Sequence, residues 1–112
     1  MNLTTDHAHG IDIVRVNESR LMYPLLSEFA DVITGLIGGG ARKVLLDLSA
    51  VTYIDSATVG CLMDLDRQAD AAGAALKLAS VHKRVETMLT MTGAVLQIHA
   101  DEGSALKSFG TS

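Results

Sequence analysis

Hydrophobic and polar positions follow two rhythms along this chain, and the rhythm changes at glycines. Residues 3–7 read as a short edge strand, which turns at Gly10 into the apolar run Ile11–Val16. Leu25, Phe29, Val32 or Ile33, and Leu36 recur at helical spacing behind Pro24, which suits a first turn. Gly38-Gly39-Gly40 ends that helix. Val44–Leu48 is apolar except for Asp47, the pattern of a strand buried on both faces. Ala57–Ala72 predicts a second helix, stopped by Gly73, with an imperfect stripe through Val59, Leu62, Met63 and Ala69. Ala75–Ala79 is the next strand. Val85, Met88, Leu89 and Thr92 mark a third helix, stopped by Gly93. Val95–Ile98 is the last strand, and Glu102–Phe109 a short closing helix.

This alternation predicts one α/β domain over residues 1–112. Its sheet is mixed and mostly parallel, with four to five strands joined by right-handed crossovers and about four helices. In open sheets of this kind, function sits outside the carboxyl ends of the strands. The stretch YIDSATVG, Tyr53 to Gly60, lies at such an end.

Composition narrows the function classes. Hydrophobic residues are 48% and charged residues 20%, enough apolar content for a packed core and against disorder. Aromatics are 4% with no Trp, so base-stacking platforms are lacking. A net charge of −4 also argues against nucleic acid as partner. One cysteine, Cys61, makes neither an intrachain disulfide nor a thiolate zinc site. The N-terminal MNLTTDHAHG lacks the form of a signal peptide, and no apolar run reaches the ~20 residues that span a bilayer. The expectation is a cytoplasmic protein without membrane insertion.

Most chemical motifs dissolve on inspection. GLIGGGARK, Gly35–Lys43, has the glycines of a phosphate-binding loop but places the helix before them and the strand after. No Ser or Thr follows Lys43, so a helix stop explains it. His7 and His9 can share a strand face, but no carboxylate or cysteine set completes a metal site at a known spacing. His99 closes the last strand without a visible partner. His82 begins the third helix, where surface or capping duty is its default role. Cys61 reads as a structural thiol, and Met88 and Met91 as core filler, with an adaptable contact surface as the alternative. No metal or cofactor is expected.

Ser56 carries three readings. As a helix cap, Asp55 or Ser56 accepts free N–H bonds worth ~1 kcal/mol. As a nucleophile, Ser56 needs a base, and Ile54 and Thr58 stand where a G-x-S-x-G elbow has its glycines. As a phosphoacceptor, it sits where a helix N-terminus tolerates a dianion.

A resemblance enters here. D-L-S-x-V-x-x-I-D-S at Asp47–Ser56 and the small-residue helix start after it resemble the STAS domain of bacterial anti-sigma factor antagonists. So do A-x-G at Ala71–Gly73 and the V-x-x-x-L-x-x-T-G run ending at Leu89, Thr92 and Gly93. Ser19-Arg20-Leu21 stands where that family often has G-R-L. The resemblance implies a single STAS-like domain that is not an enzyme. It implies a signalling protein in transcription regulation, phosphorylated on Ser56, with Thr58 as a second candidate acceptor. The implied partners are an anti-sigma factor that is also a serine kinase, bound in the unphosphorylated state, and a serine phosphatase. Asp55, Ser56, Ala57, Thr58, Val59 and His82 are the expected partner-binding residues. The alternatives are an unphosphorylated STAS adaptor in a transporter or stress-signalling complex, and a small serine hydrolase. Thr58 replaces a usual glycine, and Met22 stands where many antagonists have an aspartate; Thr58 is expected to add bulk to the docking face.

Overall fold

A computed structural model describes residues 1–110. A five-stranded sheet has the order β1-β2-β4-β6-β7, with β1 (Leu3–Ala8) antiparallel to β2 (Ile11–Val16). The strands β4 (Lys43–Asp47), β6 (Ala75–Ala79) and β7 (Gln97–His99) add in parallel. The β1–β2 hairpin closes on His9 and Gly10, whose φ of 55° and 75° suit a two-residue loop with positive φ at both positions. A second, two-stranded parallel sheet joins β3 (Arg20–Leu21) to β5 (Tyr53–Ile54). The α/β fold with a mostly parallel mixed sheet and four helices is therefore as the sequence predicts.

Strand alternation sorts the core into two layers. Val14 and Val16 of β2, Val44 and Leu46 of β4, and Leu76 and Leu78 of β6 face the larger layer. There they meet α1 (Tyr23–Gly38), α2 (Ser56–Ala71) and α3 (Lys83–Met91). Ile11, Ile13, Leu45 and Ala79 face the other way, against Ala105 of α4 (Glu102–Ser108). That thinner layer has a polar margin. Arg15 donates to Glu102 at 2.7 Å, and Lys77 Nζ donates to the Ser108 carbonyl and hydroxyl, both at 2.9 Å, 4.5 Å from the Phe109 ring centroid.

Two boundaries differ from the pattern. The fully buried stripe of α1 is Leu26, Phe29, Ile33 and Ile37, while Leu25 and Leu36 are half-buried beside it. The last strand starts at Gln97 rather than Val95, which is 88% exposed in the preceding loop. Gly73 and Gly93, at φ 74° and 75°, stop α2 and α3 where a side chain would be strained.

Candidate functional site: two helix starts held by one carboxylate

The small β3–β5 sheet brings the starts of α1 and α2 together. Thr52 N–H and Tyr53 N–H both donate to the Ser19 carbonyl, at 2.8 and 3.2 Å, fixing the strand that leads into α2. Asp55 is the N-cap of α2. Its Oδ1 accepts from the Thr58 N–H at 2.9 Å and the Thr58 hydroxyl at 2.7 Å. Its Oδ2 accepts from the Tyr23 N–H at 3.1 Å. Tyr23 is the first residue of α1, whose own N-cap, Met22, makes no side-chain cap bond. One carboxylate thus caps both helices. The Thr58 hydroxyl, followed by the Tyr23 and Thr58 N–H groups against partial burial, holds the Asp55 carboxyl below the usual carboxylate range.

Thr58 is wholly buried. Its single hydroxyl proton is shared between Asp55 Oδ1 and the Leu21 carbonyl, 2.6 Å away on β3. The expectation that Thr58 adds bulk to the outer face, or offers a second acceptor there, is corrected: the side chain points inward and its donor is spent. Val59, 4% exposed, also belongs to the core and not to the outer face. The reason is helical phase, since Thr58 and Val59 share the inward side with Leu62 and Leu65.

Ser56 and Ala57 are exposed. Among the described residues the Ser56 hydroxyl has no hydrogen-bond partner, and neither a histidine nor a carboxylate is bonded to it. His82 is exposed at the N-cap of α3, and its Nε2 donates to the Ser49 carbonyl at 2.7 Å. Its ring pins the α3 start to the β4–β5 loop. His7 pairs with Asp12 at 3.0 Å across the hairpin. His99 Nε2 is shut from solvent without a partner among the described residues. No group of three or more His, Cys, Asp or Glu among the described residues is placed to hold a metal ion.

Sequence reasoning passed over Tyr23. It is 74% exposed and stands beside Asp55 at the mouth of a groove of about 630 Å³ between α1 and α2. Ser27, Ala57, Gly60, Cys61 and Asp64 line that groove. The available signal was scarcity: the chain has two tyrosines, Tyr53 opening β5 and Tyr23 opening α1 two residues after β3.

The family model of the STAS domain matches residues 2–105. The chain belongs to the STAS domain family. No curated protein matches it. Among solved structures it is similar to TM1081 of Thermotoga maritima, at 21% identity and a TM-score of 0.86, over 95% of this chain and 92% of that one. It is similar to unphosphorylated SpoIIAA, an anti-sigma factor antagonist, at 16% identity and TM-score 0.76, over 97% and 98% of the two chains. The phosphorylated form of the Bacillus protein gives a TM-score of 0.74 at 15% identity, over 96% and 99%. The murine anion transporter Slc26a9 contains the same fold, matched at 16% identity and TM-score 0.79 over 96% of this chain and 19% of the transporter. At these identities the likeness is one of fold. No helix among the described residues is long and apolar enough to cross a membrane.

Proposed function

We propose that this STAS domain is a protein-binding module of the anti-sigma factor antagonist kind, switched by phosphorylation of Ser56. One observation carries the reading: of the two hydroxyls at the start of α2, Ser56 is exposed and unbonded, while Thr58 is buried and engaged. The backbone N–H groups of Ser56 and Ala57, in the first turn of α2, have no acceptor among the described residues. A phosphate there gains those donors and the positive end of α2. It adds about −1.5 to −2 charge next to Asp55, on a backbone already fixed by three bonds to that carboxylate. A partner fitted to the neutral face, with Tyr23, Ala57 and His82 at its edges, then meets like charge and a larger group. The partners proposed are an anti-sigma factor serine kinase and a serine phosphatase, in a bacterial cytoplasm.

Hydrolase chemistry finds no support in this site. His82 Nε2 is turned to Ser49, and both Asp55 oxygens are turned to Thr58 and Tyr23. The adaptor reading, in which the same face holds a partner constitutively, is favoured by Met22, which places a thioether at the α1 cap where many antagonists have an acid. Incubation with candidate anti-sigma factor serine kinases and labelled ATP separates the two. The switch expects one phosphate, on Ser56 by mass spectrometry, and loss of partner binding in Ser56→Asp but not Ser56→Ala. No label on Ser56, with equal affinity of both variants, leaves the adaptor.

A further inference from the structure

A second groove opens on the other side of the small sheet, between β5 and α3. We propose that it docks an acidic amphipathic segment of a partner protein. Its floor is Ile54 and Val85, each 1% exposed, and its walls are Tyr53, Met88 and Met91. The apolar part measures about 380 Å³. Arg84 stands at its rim and also borders a second, polar hollow, shared with Thr52, His82 and Lys83. One trough thus runs from a cationic end to an apolar end along α3.

Two features of this trough call for an occupant. Met91 is 81% exposed and Tyr53 is 43% exposed, on a chain with few large apolar side chains outside its core. Methionines refit to different apolar partners at low cost, and Met88 and Met91 lie on the same side of α3 as Arg84, at positions i+4 and i+7. The second feature is charge. The chain carries −4 overall, yet Arg20, Lys83 and Arg84 gather here. Arg20 lies 5.9 Å over the Tyr53 ring, and none of the three makes an ion pair among the described residues. Of the other six Lys and Arg, Arg15 pairs with Glu102, Arg67 with Asp64, and Lys77 is buried, while Arg42, Lys43 and Lys107 line neither hollow. Among the described residues no carboxylate lines either hollow. A helix with an apolar stripe and an acidic flank matches both ends at once. Its apolar anchors enter beside Met88, and its carboxylates reach Arg84, Lys83 and Arg20.

The test is an amide chemical-shift titration of the unphosphorylated protein with two synthetic 18-residue amphipathic peptides, built by the period of a helix. They share one leucine stripe and differ only in polar face, glutamate in one and lysine in the other. The glutamate peptide is expected to shift the amides of residues 52–54 and 83–92. Lys83→Glu/Arg84→Glu is expected to weaken it at least about tenfold, and Met88→Gln to weaken it less, while Lys107→Glu on α4 leaves it unchanged; added salt weakens it further. Equal binding of the lysine peptide, shifts confined to other surfaces, or no saturable binding overturns the proposal. So does binding of anionic phosphatidylglycerol vesicles, but not of the peptide, lost in the Lys83/Arg84 variant, because that assigns the trough to a lipid surface. The titration uses neither kinase nor nucleotide, so its failure leaves the Ser56 switch standing, and failure of the switch leaves the trough standing.

Discussion

Replacing Thr58 with valine removes one hydroxyl and keeps a branched side chain of similar size. Helix propensities of the two residues are close, so backbone preference is nearly unchanged. What changes is hydrogen bonding around a side chain that has no access to water, on one side to a buried carbonyl and on the other to a half-buried carboxylate. The Asp55 carboxylate loses a 2.7 Å hydroxyl donor, and the Leu21 carbonyl loses its 2.6 Å contact with the same proton. A hydrogen bond to a charged group is worth about 1.5–3 kcal/mol, and leaving a buried acceptor unpaired costs about 1–3 kcal/mol. The two overlap because one proton serves both acceptors, and Asp55 still accepts from the Thr58 N–H. We therefore expect a net loss of about 2 kcal/mol. Urea unfolding should show a lower midpoint with an unchanged slope, and Tm should fall by roughly 10 °C at this chain length. Thr58→Gly should lie below valine, since it also loses buried side chain and gains freedom in the unfolded state. The same substitution tests the electrostatics. The Thr58 hydroxyl is the largest cause of the low Asp55 pKa, so carboxyl titration by NMR should move Asp55 up towards its ordinary value in Thr58→Val. Stability within about 0.5 kcal/mol of wild type together with an unmoved Asp55 would falsify the tie between β3 and α2.

Three further predictions concern groups the same structure fixes. Because the folded Asp55 pKa is depressed, its contribution to stability is fully present above the unfolded carboxylate pKa and is lost as pH falls through the folded value. Asp55→Asn keeps one oxygen for Thr58 but turns an amide NH2 towards the Tyr23 N–H, so it should cost about 1 kcal/mol at pH 7 and unfold with a shallower acid dependence than wild type; parallel acid profiles would reject this. Asp101, held low by the Ser104 N–H, adds acid sensitivity of the same sign to both proteins and cancels in the comparison. Burial, then Asp64, pushes the Cys61 thiol up, so iodoacetamide at pH 7 should label folded protein far more slowly than protein in urea, and equal rates would contradict the half-buried position. Lys77→Met should fold within about 1 kcal/mol of wild type, because the apolar stem is kept and an ammonium no longer has to be desolvated. Lys77→Ala should lose about 2 kcal/mol or more by leaving a void under Phe109, and calorimetry that ranks alanine above methionine would count against that account.

Long-range order was legible where periodicity was strong. The β2, β4 and β6 strands, and α1 and α2 within a residue or two, follow from apolar runs bounded by glycines. The small β3–β5 sheet was not legible, because two-residue strands have no period to read; they form when Ser19 and Thr52 meet in space. The candidate site was legible as a stretch but not as a set of orientations. Asp55 and Ser56 were singled out by type and place, whereas Thr58 and Val59 were placed on the outer face through the resemblance at the helix start, which carries no helical phase. One residue along a helix turns a side chain by roughly 100°, so neighbours of an exposed serine can be core. Tyr23 was missed because its link to Asp55 joins residues 32 apart.

The convergence of two helix starts on Asp55 bears on how a modification at Ser56 could act. If the first turn of α2 were loose, a phosphate could be accommodated by local rearrangement, and the change of charge would be diluted. Here the carboxylate is bonded to Thr58 twice and to Tyr23 once, and Thr58 is bonded in turn to β3. The backbone next to Ser56 is therefore set by α1, α2 and the small sheet together. A group added to the Ser56 hydroxyl projects from a fixed base, so the perturbation is delivered to whatever docks outside rather than absorbed within. The departure at residue 58 fits this view, since threonine offers a side-chain anchor that glycine cannot. Loosening that anchor with Thr58→Val should let α2 answer the charge itself. In Thr58→Val/Ser56→Asp, amide shifts relative to Thr58→Val should spread into α1 and β3. In Ser56→Asp alone they should stay within the first turn of α2, and equal spread in both backgrounds would refute the rigid-base argument.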